Sequence, residues 1–111
     1  MEDLAASLAF ANYQSTLSQQ KNIIRQRFQD SCILAHNGGL FLISPEFIAG
    51  IQTIPITARY VIDMNNNPIW IDNIPQFITD STACYTEAVH VYGTEYSKLK
   101  TQRSVKALVG L

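Results

Sequence analysis

Cys32, His36, Cys84 and His90 supply between them the donor atoms of a zinc site, and spacing tests whether they can form one. Cys32 and His36 lie four apart across a strand and a turn, so they can face one way. Cys84 and His90 lie six apart on a helical segment, about 240° around the axis, and cannot both point at one ion. No metal is expected. The run Ala35-His36-Asn37-Gly38-Gly39-Leu40-Phe41 has the glycines of a phosphate loop, but such a loop opens onto a helix N-terminus, where backbone N–H groups converge on the anion. Here the glycines open onto Leu40-Phe41-Leu42-Ile43, a strand pattern, and their spacing matches neither G-x-x-x-x-G-K-[ST] nor G-x-G-x-x-G. An oxyanion role in the style of an HGGG loop would need a nucleophile elbow, and the chain has no G-x-S-x-G. The stretch is therefore read as a turn. Asp63, Asp72 and Asp80 fall at turns and helix starts, where carboxylates cap backbone donors. No pair of acids has a spacing for general acid and base work, and Asp63 to Pro68 lacks the Gly and distal Glu of an EF-hand loop. No catalytic residue and no cofactor are expected, and the chain does not read as an enzyme.

The remaining chemistry is charge. Net charge is −1, yet residues 28–97 hold seven acids and one base, Arg59, while Lys98, Lys100, Arg103 and Lys106 follow the last acid, Glu95. A smaller basic group, Lys21, Arg25 and Arg27, closes the first long segment. Four tail bases can neutralise about as many phosphates, enough for weak, salt-sensitive nucleic-acid binding only. Together with Val105, Leu108 and Val109 they make the C-terminal segment the first candidate for partner contact. The five tyrosines and Trp70 fall at core-like positions and are read as packing residues, not base-stacking platforms.

The elements that position these residues follow from periodicity. Residues 1–29 contain neither Pro nor Gly, and Phe10, Tyr13, Leu17, Ile24 and Phe28 form one helical stripe. Phe10, Tyr13 and Leu17 on that stripe are candidates for subunit packing. Over 31–72 the chain reads as two β-hairpins, because short β-branched and aromatic runs flank His36 to Gly39 and again flank Asp63 to Pro68. Ser44-Pro45-Glu46-Phe47-Ile48 starts a short helix at 45–49, which Gly50 and Pro55 stop. The echo Ile74-Pro75-Gln76-Phe77-Ile78 starts a second long helix, 75–100, with Ile78, Tyr85, Tyr92 and Leu99 spaced by seven. Residues 101–111 form a basic tail. The fold class is α+β, with long N- and C-terminal amphipathic helices packed on a small sheet of two hairpins and a short helix between them. The four strand segments are apolar on consecutive residues, so both strand faces should be covered, by helices on one side and by a helix or a second subunit on the other.

At 111 residues the chain has room for a single domain, 1–111. Its 15% of charged residues is low against roughly 25% in ordinary soluble domains, which points to surface buried between subunits. No apolar run approaches the ~18 residues that span a bilayer, and the opening MEDLAAS is acidic where a signal peptide is basic. A soluble, unsecreted protein is expected, with no membrane partner and its two cysteines reduced.

From EDLAASLAFANYQSTLSQQKNIIRQRF, through NGGLF and NNNPIWI, to SKLKTQRSVKALV, the chain resembles a family of small uncharacterised proteins of T-even-like, myovirus-type marine cyanophages. The resemblance implies a phage product acting in the cytoplasm of the infected bacterial host or built into the virion, and it brings no activity and no functional residue. The expected function is non-enzymatic: self-association, or service as a component or assembly factor of a larger complex such as the virion. A homo-oligomer is expected, with other phage proteins as further partners. The alternative is a regulator that binds nucleic acid weakly through the basic C-terminal segment.

Overall fold

The computed structural model describes residues 2–55, 57 and 59–108, with the side chains of 2, 3, 10, 12, 15 and 102–108 excepted. It is an α+β fold in the order α1 (Glu2–Ser31), β1 (Ile33–His36), β2 (Gly39–Leu42), α2 (Pro45–Gln52), β3 (Tyr60–Ile62), β4 (Pro68–Trp70) and α3 (Ile74–Leu108). A β-β-α unit therefore occurs twice.

α1 and α3 form an antiparallel pair. As residue numbers rise along α1 they fall along α3: Leu17 and Ile24 pack with Leu99, the Phe28 ring stacks on Tyr92 at 4.7 Å, and the Cys84 thiol donates to the Ser31 carbonyl. Arg27 and Glu95 approach to 3.6 Å on the flank of the same pair. On α3 the inner stripe is Ser81, Tyr85, Ala88, Tyr92 and Leu99, spaced by four, three, four and seven, which keeps them on one face of the helix. α1 closes where Cys32 N–H is shared between the carbonyls of Phe28 and Gln29, and Ile43 N–H donates to the Cys32 carbonyl to begin the first hairpin. The pair makes the molecule a rod, 71 by 23 by 21 Å, with a Cα radius of gyration of 20.6 Å against about 13 Å for a compact chain of this length.

The head at one end of the rod holds the main core. β1 and β2 pair antiparallel from Ile33↔Leu42 to His36↔Gly39, joined by Asn37 and Gly38, both at positive φ (48° and 79°). This is the two-residue turn that the strand twist favours, and Asn and Gly adopt it at least cost. β3 and β4 pair antiparallel from Tyr60↔Trp70 to Ile62↔Pro68, as a second two-stranded sheet. Between the hairpins, Ser44 caps α2 by accepting the Phe47 N–H at 3.0 Å, with Pro45 in the first turn. Phe41, Ile43, Ile51, Val61, Ile71, Ile74 and Phe77 form the core, and the rings of Phe41, Phe47 and Phe77 lie 5.0 to 6.2 Å apart around its centre.

Two sequence-based boundaries and one packing expectation change. α2 passes through Gly50 to Gln52, because Ile51 is drawn into the core, and it ends where Thr53 N–H turns back to the Gly50 and Ile51 carbonyls. α3 runs on to Leu108, so the first eight residues of the expected tail, 101–108, prolong the helix; nothing after Gly93 and before Leu108 breaks it. The long helices pack chiefly on each other; among the described residues only the end of α1 and the start of α3 reach the hairpins, and nothing covers Leu40, Leu42, Tyr60, Ile62 and Trp70 on the outer strand faces.

Candidate functional site

Side chains alternate across a strand, so the two registers sort the head into faces. Leu34, His36, Gly39 and Phe41 of the first hairpin and Val61 and Ile69 of the second point inward. Outward lie Ile33, Ala35, Leu40 and Leu42, then Tyr60, Ile62, Pro68 and Trp70, without one charged or hydrogen-bonding group beyond the Tyr hydroxyl and Trp N–H. Leu40, Leu42, Tyr60, Ile62, Met64 and Trp70 are 40% to 61% exposed. A solvated antiparallel sheet ordinarily turns polar residues outward.

Trp70 is held firmly within this surface. Its indole N–H donates to the Asp72 carboxylate at 2.6 Å, and the Tyr60 ring meets it edge-on at 5.2 Å. The Arg59 guanidinium sits 5.8 Å from the indole centre and donates to the Asp72 carbonyl at 3.0 Å. An aromatic side chain already fixed in this way loses little freedom when a partner covers it.

Asp63 locks the two hairpins together. One carboxylate oxygen accepts the N–H groups of Asn65 (3.0 Å) and Asn67 (2.9 Å), and the other accepts Leu40 N–H at 3.1 Å. The Met64 N–H returns to the Leu40 carbonyl at 2.8 Å, so the two hairpins meet at Leu40. These backbone donors, Asn67 foremost, hold the Asp63 carboxyl below the usual carboxylate range. Asn37 ties the same hairpins at the other side by donating to the Trp70 carbonyl at 2.9 Å. Asp63 and the Asn37-Gly38 turn thus do structural work, and their polar groups are spent on backbone.

The metal candidates separate. Cys32 and Cys84 are free thiols close together where α1 ends; burial pushes both up from the ordinary thiol range, and the nearby Cys84 adds to the shift of Cys32. His36 packs on Phe77 with centroids 5.1 Å apart, while His90 is exposed on α3 in an open depression of about 740 Å³ lined also by Gly93, Ser97 and Thr101. Among the described residues no three His, Cys, Asp or Glu side chains gather as a metal site.

Of the sequence-predicted contact residues, Lys98 and Lys100 are exposed on α3. The side chains of Arg103, Val105, Lys106 and Leu108, the whole of Val109 and the side chain of Phe10 lie outside the described residues. Tyr13 is half-buried, and Leu17 is buried against Ile24 and Leu99 of its own chain, which accounts for its apolar type without a second subunit. Trp70, Tyr60 and Tyr96, read from sequence as packing residues, are instead about half exposed, because among the described residues no element covers the faces they occupy. The signal for the head surface was the consecutive apolar run in each short strand, which leaves neither face polar. Among the described residues no helix is long and apolar enough to cross a membrane. No protein-family model, no curated protein and no solved structure matches the chain.

Proposed function

We propose that the protein is a non-enzymatic building block that works by self-association, as a component or assembly factor of a larger complex, in the phage setting that its sequence resemblance implies. One observation carries this reading: the folded chain exposes 7882 Å², against about 6,100 Å² for a compact monomer of this mass, and large apolar side chains are among what it exposes. The apolar surface occurs on both parts, with Leu4, Leu8, Ile23, Val89, Val91 and Tyr96 exposed on the helix pair and six more large side chains on the head. Single exposed apolar residues are ordinary, whereas contiguous ones mark interaction sites. Size-exclusion chromatography with light scattering over a range of concentrations tests it. A mass above that of one chain is expected, and a monomer at every concentration would refute it.

A weak nucleic-acid interaction has one observation in its favour. The antiparallel pairing sets the two basic groups of the sequence at the same level of the rod, where Lys21 and Lys100 line one groove between the helices and Arg27 and Lys98 line the other. If four such bases meet phosphates, log K should fall with log salt with a slope of about −3.6 on duplex DNA. Binding that is absent, or indifferent to salt, would remove this alternative.

A further inference from the structure

The chain's two cysteines meet where α1 hands over to the head. The Cys84 thiol on α3 donates to the Ser31 carbonyl at 3.4 Å, and that carbonyl belongs to the peptide bond leading into Cys32. In a trans peptide the carbonyl oxygen lies about 2.8 Å from the next Cα, so the Cys84 sulfur is at most about 6.2 Å from the Cys32 Cα. We infer that Cys32 and Cys84 form a redox site, at which a low-molecular-weight disulfide such as oxidised glutathione converts the two thiols to a reversible bridge that fastens α1 to α3.

Three observations support this. The first is the seating of the helices at this level: Phe28, four residues before Cys32, meets Tyr85, the residue after Cys84, edge-on at 6.2 Å. A charge on Cys84 is accordingly felt at Cys32. The second is the place of Cys32 in the chain. It stands just past the end of α1, its N–H shared between the Phe28 and Gln29 carbonyls and its own carbonyl accepting Ile43 N–H, so a bridge there grips helix and hairpin together. The third is a division of access. Both thiols are free, but Cys84 is half-buried whereas Cys32 is 3% exposed, so a small disulfide reaches Cys84 first.

The exchange balances. The Cys84 thiolate attacks one glutathione sulfur, forming a mixed disulfide and releasing one glutathione thiolate; the Cys32 thiolate then attacks the Cys84 sulfur and expels the second. The two electrons lost by the cysteines reside in two molecules of reduced glutathione, which also take up the two protons. The bridge closes residues 32–84 into a covalent loop containing both hairpins and α2, which restricts the unfolded chain.

The full chain, first reduced, is incubated with oxidised glutathione and read by intact mass. The expected product has lost the mass of two hydrogen atoms, and trypsin, cutting after Arg27, Arg59 and Lys98, should leave peptides 28–59 and 60–98 joined until a reductant is added. Cys32→Ser should stop at a stable glutathione adduct on Cys84, and Cys84→Ser should react at least about tenfold more slowly, since only the buried thiol remains. The oxidised wild type should melt about 10 °C above the reduced form. Thiols that both stay free, an adduct that persists on wild-type Cys84, or bridges only between chains would each overturn the site. A bridge that forms but lowers the melting temperature would overturn its role as a fastening. The wild-type measurement needs no variant, so the inference stays refutable if either serine substitution fails to fold.

Discussion

At the scale of single residues, three positions test the packing. Asp63 is buried and serves three backbone donors, two in its own loop and one on β2. Replacing it by Ala leaves those N–H groups without an acceptor and frees the hairpins from each other, so the melting temperature should fall by about 10 °C, with Asp63→Asn in between. Its pH dependence has a definite sign. A carboxyl held below its ordinary value stabilises the fold fully above the unfolded pKa of about 3.9, and that stabilisation is lost as pH falls through the lowered folded value. The gap in melting temperature between wild type and Asp63→Asn should therefore narrow as pH is lowered from about 5 to about 2; a gap that stays constant would show that the charge contributes nothing. Gly39 is required for a different reason. A Cβ there would lie 2.5 Å from Cγ1 and 2.9 Å from Cδ1 of Ile69, so Gly39→Ala should cost about 1 to 3 kcal/mol in denaturant unfolding. Removing those atoms with Ile69→Ala should make the second change smaller than the sum of the two, a coupling visible in a double-mutant cycle. Ser81 is the opposite case. Its hydroxyl is fully buried with no hydrogen-bond partner among the described residues, so Ser81→Ala should raise stability by about 1 kcal/mol and not lower it.

At the scale of elements, α3 is the spine, and it carries the weakest helix former at an interior position. Gly93 is exposed, and a Cβ added there would meet nothing within 4 Å. In a chain whose outer α3 face is free, Gly93→Ala should stabilise by about 0.5 to 1 kcal/mol, since it only restricts the unfolded backbone. If the substitution instead lowers the mass measured by light scattering, this face meets another helix closely enough that a methyl group is excluded. How much of these elements the sequence shows can be traced residue by residue. The hairpins were legible because Asn37-Gly38 and the Asp63 to Asn67 loop have turn chemistry that few other structures use, and both helix starts were legible from Ser44-Pro45 and Asn73-Ile74-Pro75. The helix ends were not. Gly50 looks like a stop, but α2 continues past it because Ile51 gains core burial, which outweighs a glycine's local cost. The exposure of Trp70 was equally hidden: an apolar pattern shows that a face avoids water but not whether the same chain covers it.

At the scale of the whole molecule, the helix pair and the head divide the work. Among the described residues away from the head, Leu17, Ile24 and Leu99 with Tyr92 beside them line the seam of the pair, and the Arg27–Glu95 contact, in which Arg27 is two-thirds exposed, adds less than about 1 kcal/mol. Helical order in proteins comes mostly from packing, so α1 and α3 depend on each other and on the head that anchors one end. The elongated form depends on that seam, and it is measurable. At the lowest usable concentration, small-angle scattering of the single chain should give a radius of gyration near 20.6 Å. A value near 13 Å would mean that the pair folds back into a compact body and buries the apolar surface on which self-association is proposed. A value well above 20.6 Å at the mass of one chain would mean that α1 and α3 separate in the monomer, and that the rod itself is completed by a second copy. The first result would place the rigidity of the rod in one chain.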